Sequence, residues 1–216
     1  MLTMGYKTST RLVNYQHAFQ FMERAVTNCL AKSKNIIWFL EHPPLYSEGV
    51  SASKEELLDR GGLPIYKTNR GGKFIYHGPG QRIAYLVLDL KKIFSPNPPD
   101  VKKYVYFLEQ VVIEILKELD LVGVRLPGNP GIWIKVNDKS APKKIAFIGI
   151  RIKKWISYHG VAFNISPNLD HFKGIIPCGL KEYEITSLRE LGKEITVREF
   201  DEIFKKNFEK LLKKEI

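Results

Sequence analysis

The chain has 216 residues, 44% of them hydrophobic and 26% charged, with 34 Lys and Arg against 23 Asp and Glu. This composition excludes a disordered chain, no apolar run nears the roughly 20 residues that cross a bilayer, and two cysteines are too few for a disulfide framework. One domain with its own core is expected, and the net charge of +11 favours acidic partners.

Taken in chain order, the start MLTMGYKTSTRLVNYQ lacks the basic-then-apolar pattern of a secretory signal, so a cytoplasmic location is expected. NYQHAFQFMERAVTNCLAK carries Ala18, Phe19, Met22, Ala25, Val26, Cys29 and Leu30 at helical spacing, which turns Cys29 into the core as an inert thiol. Asn35–Leu40 reads as a strand, SKEELLDR as a short helix with Ser53 and Glu56 in capping-box spacing, and Ile65–Thr68 and Ile83–Leu90 as strands. The second long helix is capped by Asp100 and places Val101, Tyr104, Val105, Leu108, Val112, Ile115 and Leu119 on one face. Further strands are Gly131–Val136, Lys144–Ile152 and Trp155–Ile165, with VNDKSAPKK as an exposed hairpin loop. The last helix opens with Thr196-x-x-Glu199 and carries Phe200, Ile203, Phe204, Phe208, Leu211 and Leu212. Only Lys153 and Lys154 separate the last two long strands, so an antiparallel meander is expected. The chain reads as α/β (α+β), with a mixed, largely antiparallel sheet and flanking helices. No linker or repeat divides it.

The stretch RGGKFIYHGPGQ, Arg70 to Gln81, concentrates glycine, but it is not a nucleotide loop. A P-loop or a dinucleotide fingerprint must run into a helix whose free N–H groups meet phosphate, and QRIAYLVLDL is a strand. Its glycines let main chain approach a ligand or hold an oxyanion; as a plain turn they are equally well explained. IIPCGL sets Cys178 between proline and glycine, a rigid turn suited to a nucleophile, with a buried structural thiol as the alternative. Lys144 opens an apolar strand: turned inward it needs a partner or a lowered pKa, turned outward it is an edge lysine. Tyr158 to Gly160 echoes Tyr76 to Gly78, as two loops lining one pocket would; backbone packing would explain each histidine singly.

EHPPLYSEG, RGGKFIYHGPGQ, KIAFIGIRIKKWISYHGVAFNI and FKGIIPCGL, in this order and spacing, resemble the octanoyltransferases of lipoate biosynthesis from about Tyr15 to Leu191. The resemblance implies one catalytic domain of the biotin and lipoate protein ligase type, over residues 1–216. It implies an octanoyl group passing from acyl carrier protein to Cys178, and then to a lysine of a lipoyl domain. The acceptors would be 2-oxoacid dehydrogenase subunits and the glycine cleavage H protein. Catalytic roles fall on Cys178 and Lys144. Substrate binding falls on Arg70, Gly71, Gly72, Lys73, Phe74, Ile75, Tyr76 and His77, on Phe147, Ile148 and Gly149, and on His159, Gly160, Val161 and Ala162. No cofactor, metal, nucleic acid or membrane is implied. Ile75 stands where the family often has threonine, and Ser47-Glu48-Gly49 where it more often has Thr-Leu-Gly.

The residues suit that chemistry. A free thiol is only a few per cent thiolate at pH 7, and a nearby ammonium stabilises the anion. Lys144 would supply the charge, pass its proton to the leaving thiolate, and then accept the proton of the acceptor lysine. Full burial of the octanoyl tail would contribute roughly 5 kcal/mol at about 0.8 kcal/mol per CH₂. The other readings are an ATP-dependent lipoate or biotin ligase, an amidotransferase acting between lipoyl-type proteins, and a basic nucleic-acid-binding domain, for which no motif is present.

Overall fold

The computed structural model describes residues 4–32, 34–135, 141–176 and 184–215. Among these, a seven-stranded sheet runs in the order β1 (Met4–Thr8), β2 (Asn35–Leu40), β6 (Gln81–Asp89), β10 (Ile156–Asn164), β9 (Lys143–Lys153), β8 (Asn129–Ile134), β7 (Gly123–Leu126). All neighbours are antiparallel except β1 and β2. A small sheet has β3 (Leu45–Glu48) between β4 (Ile65–Lys67) and β5 (Ile75–His77). The mixed, largely antiparallel architecture with flanking helices is the expected one.

Two apolar layers sandwich the large sheet. On one face α3 (Val101–Glu118) and α4 (Val197–Glu215) bury Tyr104, Leu108, Val112, Phe200, Phe204 and Phe208 against Ile37, Leu86, Ile145 and Val161. On the other, α1 (Tyr15–Lys32) lays Ala18, Met22, Val26 and Cys29 over Trp38, Tyr85 and Tyr158, and the small sheet completes the layer. Asp100 caps α3 by accepting from Lys102 and Lys103 N–H at 2.7 and 3.0 Å. Thr196 and Glu199 close a reciprocal box at the start of α4. Cys29 is buried beside Asn35, and burial pushes its thiol up to about 11, as an inert core residue requires.

Several expectations need correction. Leu30 and Val101 are exposed, because they stand in the last and first turns of their helices, where the stripe has run past the sheet. SKEELLDR yields only a 3₁₀ turn, Lys54–Glu56, although Ser53 N–H does donate to the Glu56 carboxylate at 3.2 Å. The strand expected over Ile65–Thr68 ends at Lys67, and β8 runs from Asn129 to Ile134 rather than from Gly131 to Val136. The β9–β10 hairpin turns on Lys154 and Trp155, both at positive φ as a type I′ turn demands, not on Lys153 and Lys154. Of the hairpin VNDKSAPKK, residues 136–140 lie outside the described residues. Strands β1, β3, β5 and β7 were not anticipated. No described helix is long and apolar enough to cross a membrane.

Candidate active site

Lys144 sits near the start of β9, where the strand carries one extra residue. Ile132 pairs with Ala146 but Trp133 pairs with Lys144, so Ile145 is a β-bulge. Strict alternation would put Lys144 beside Ala146, facing α3 and α4. The bulge instead brings its amine to the face of Phe147, whose ring centroid is 5.2 Å from Nζ, with Trp133 at 4.8 Å. Lys144 is 1% exposed, and Nζ donates to the Pro130 carbonyl at 2.7 Å. Gly131, at φ +113°, makes this possible: a Cβ there would stand 2.8 Å from Lys144 Cε and 2.4 Å from the Ala146 carbonyl oxygen. Neither Pro130 nor Gly131 was singled out from the sequence. The only hint was GNPG, a turn signal.

The amine opens into a cleft of about 320 Å³ lined also by Gly71, Gly72, Lys73, Ile75, Phe147, Ile148 and Gly149. On the far side of Ile75, Phe147 and Gly149, which line both spaces, lies a narrow slot of about 20 Å³ lined by Tyr15, Arg70, His77, Tyr85, His159, Gly160, Val161 and Ala162. Thus the structure gathers thirteen of the fifteen expected substrate-binding residues around two adjacent spaces that share three lining residues. Phe74 and Tyr76 line neither. Successive residues of an extended strand face opposite ways, so Ile75 and His77 take the slot while Tyr76 packs on Tyr46 and Phe172.

Arg70 and Lys73 have structural partners inside the chain. Arg70 is buried, its Nη2 donating to Ser47 O, Ser47 Oγ and Lys73 O at 2.7, 2.7 and 2.9 Å. It thereby folds the glycine loop over β3, while Gly71 N–H donates to Ile150 O at 2.9 Å and ties the loop to β9. Lys73 pairs with Glu56. Both ring nitrogens of His77 are also engaged. Gln81 uses its amide nitrogen on Asn164 (3.0 Å), so its oxygen accepts from His77 Nδ1 at 2.6 Å, and Ser47 Oγ donates to Nε2 at 2.9 Å. Asn164 then donates to the Thr186 carbonyl, and Thr186 N–H to the Lys144 carbonyl, at 3.0 and 2.9 Å. One polar chain therefore joins the glycine loop to the strand of Lys144.

His42, Tyr15 and Tyr85 belong to the same cluster and were missed: Tyr15 on α1 and Tyr85 on β6 read as core, and for His42, between β2 and β3, EHPP was the one signal. Its Nδ1 donates to Val13 O at 2.5 Å and its Nε2 accepts from Tyr85 at 2.8 Å. Burial pushes His42 down to about 4 and His159 to about 3, with the Arg70 charge adding to the second. Burial also holds His77 well below the usual histidine range, aided by His42 and Arg70. All three fold as neutral rings. Between pH 6.5 and about 4 the unfolded chain binds protons that the folded chain refuses. Stability should therefore fall as pH drops through that window, by up to about 1.4 kcal/mol per pH unit for each histidine. Urea unfolding midpoints at about pH 7 and about pH 5 check this; equal midpoints would contradict it.

Cys178 lies outside the described residues, which end at Ile176 and resume at Glu184. Both flanks are fixed. Ile176 N–H donates to Glu56 O at 2.7 Å, and Leu58 and Asp59 N–H reach Gly174 O. At the other flank Lys144 N–H donates to Glu184 O at 2.8 Å. Among the described residues no cluster of His, Cys, Asp and Glu is assembled that would hold a metal.

The layered sheet has the fold of the lipoate protein ligases. Its fold superposes on a bi-partite lipoate protein ligase from Thermoplasma acidophilum with a TM-score of 0.71 at 17% identity, over 97% of this chain and 84% of that one. The model of the lipoyl protein ligase A/B catalytic domain matches residues 14–209. An octanoyltransferase of Wolbachia pipientis (subsp. Culex pipiens) is 45% identical over 94% of this chain and 97% of its own. One from Ehrlichia ruminantium is 46% identical over 96% and 98%. The chain belongs to the octanoyltransferase family, a family of acyltransferases.

Proposed function

We propose that this chain transfers an octanoyl group from acyl carrier protein to a lysine of a lipoyl domain through a thioester on Cys178. The observation that carries this reading is the joint position of Lys144 and the two fixed ends of the segment bearing the thiol. Cys178 follows the anchored Ile176 by two residues, at most about 7 Å of chain. The far end of that segment, at Glu184, is hydrogen-bonded to the backbone of Lys144 itself.

The thiolate of Cys178 attacks the donor thioester carbonyl, a C–S bond forms, and the carrier's thiolate leaves, taking the proton lost by Cys178 by way of Lys144. The amine of the acceptor lysine then attacks the new thioester. Its proton passes to Lys144, the C–N bond forms, and Cys178 leaves as thiolate. Glycines at 71, 72 and 149 bring main chain to the reacting carbonyl. The acyl tail enters the slot beyond Phe147; at about 20 Å³ the slot holds no octanoyl chain as it stands, so its walls must part to admit one. The charge of +11 suits an acidic carrier.

Mixing the enzyme with octanoyl-acyl carrier protein and reading the mass of the Cys178 peptide is the test. An octanoyl adduct on Cys178, absent in Cys178→Ser, is expected. Turnover that requires ATP and free octanoate, and survives Cys178→Ser, would instead establish an adenylating ligase.

A further inference from the structure

The inner slot holds two polar atoms that the transfer chemistry does not use. Tyr15 Oη and His159 Nδ1 belong to residues 4% and 1% exposed, both line the slot, and neither atom makes a hydrogen bond of normal length and angle, the Thr68 side chain being the polar neighbour of Tyr15 Oη. Their neighbours define what each offers. Asn69 spends its amide nitrogen on Tyr158 Oη at 2.9 Å, so its oxygen faces His159 Nε2 at 3.0 Å. The ring proton is then on Nε2, and Nδ1 presents a bare lone pair. Near Tyr15, the Thr68 hydroxyl donates to Glu48 O at 2.9 Å, and burial keeps the phenol protonated, so Tyr15 presents an O–H. His159 also stands at φ +62° inside β10, a left-handed conformation costly for a residue with a side chain. The strand accepts that cost at the residue whose imidazole reaches the slot.

A buried donor and a buried acceptor exact a desolvation penalty from any group that covers them without bonding. We propose that Tyr15 and His159 form a polar stop to the acyl slot and determine which chains it accepts. An apolar chain that ends before them is taken. A longer apolar chain, whose methyl end would cover both atoms, is rejected. A chain ending there in a hydroxyl, which accepts from Tyr15 and donates to His159, is accepted. This rests on the reading that the slot holds the acyl tail.

The test uses the full chain and acyl thioester donors of increasing length. Each methyl-ended chain is paired with the ω-hydroxy chain of equal heavy-atom count, and kcat/KM is compared within each pair. At the length where methyl-ended donors begin to fail, the wild-type enzyme should prefer the hydroxyl by about tenfold. Tyr15→Phe, which deletes one oxygen, should reduce that ratio to about twofold, and so should His159→Asn, whose side chain tolerates the left-handed backbone. A wild-type ratio near one at every length, or a ratio unchanged in both variants, overturns the proposal, and the first of these needs no variant to fold. If the wild-type enzyme transfers no octanoyl from any thioester, the reading beneath the proposal falls with it, and that is visible before any ratio is formed.

Discussion

Lys144→Met should lower octanoyl transfer by at least a hundredfold, with both half-reactions slowed. Methionine keeps the length and apolar stem that pack between Trp133 and Phe147, and it removes only the amine that donates to Pro130 O. Proton transfer by a positioned group contributes about 10²- to 10⁴-fold, and in the proposed mechanism one group serves two steps. Single-turnover measurements separate them: the rate of adduct formation on Cys178, and the rate at which a lipoyl domain discharges a preformed adduct. Both should fall while the unfolding midpoint holds. Slowing of only one step would assign Lys144 to that step alone, and a change in solubility with no change in rate would remove it from the chemistry.

The largest effect on stability should come from Asp201→Ala. Arg82 of β6 donates through Nε and Nη2 to the two carboxylate oxygens of Asp201 on α4, at 2.9 and 2.7 Å, with both side chains almost fully buried. Arg82 also reaches Ser9 O at 3.2 Å, so the pair ties sheet, helix and the chain after β1 together. Truncating the aspartate strands a buried guanidinium, a loss of about 3–5 kcal/mol against a total stability of about 5–15 kcal/mol. Urea unfolding should show it as a lower midpoint at unchanged slope. The double variant Arg82→Met with Asp201→Leu should recover much of the loss, because no charge is left unpaired. A loss in Asp201→Ala below about 1 kcal/mol would mean that water reaches the pair.

The fold was legible where a pattern ran long enough to count. Phe200, Phe204 and Phe208 mark α4, and Ile83 to Leu88 mark a strand buried on both faces. MGYKT, LYSE, IYH and GVRL are too short to show a period, and they become strands only because a neighbouring strand offers its edge. The site was legible in residue identity and less so in role. The motifs named Arg70 and Lys73, but only coordinates show Arg70 turned back on Ser47 and Lys73 held by Glu56. Whether Lys144 pointed inward was an even choice, since alternation alone aims it at the α3 and α4 layer, and a bulge leaves no mark in a string of isoleucines and alanines.

That bulge makes the cleft-facing side of β9 depend on pairing with β8 as well as on sequence. Substitution at Ile145 changes a side chain facing the other layer, whereas straightening the bulge with the residue kept would shift the pairing with β8 by one and swing Lys144 through half a turn, away from Phe147 and the cleft. The side of the sheet on which the Lys144 amine emerges is therefore set by the bulge and not by its place in the alternation.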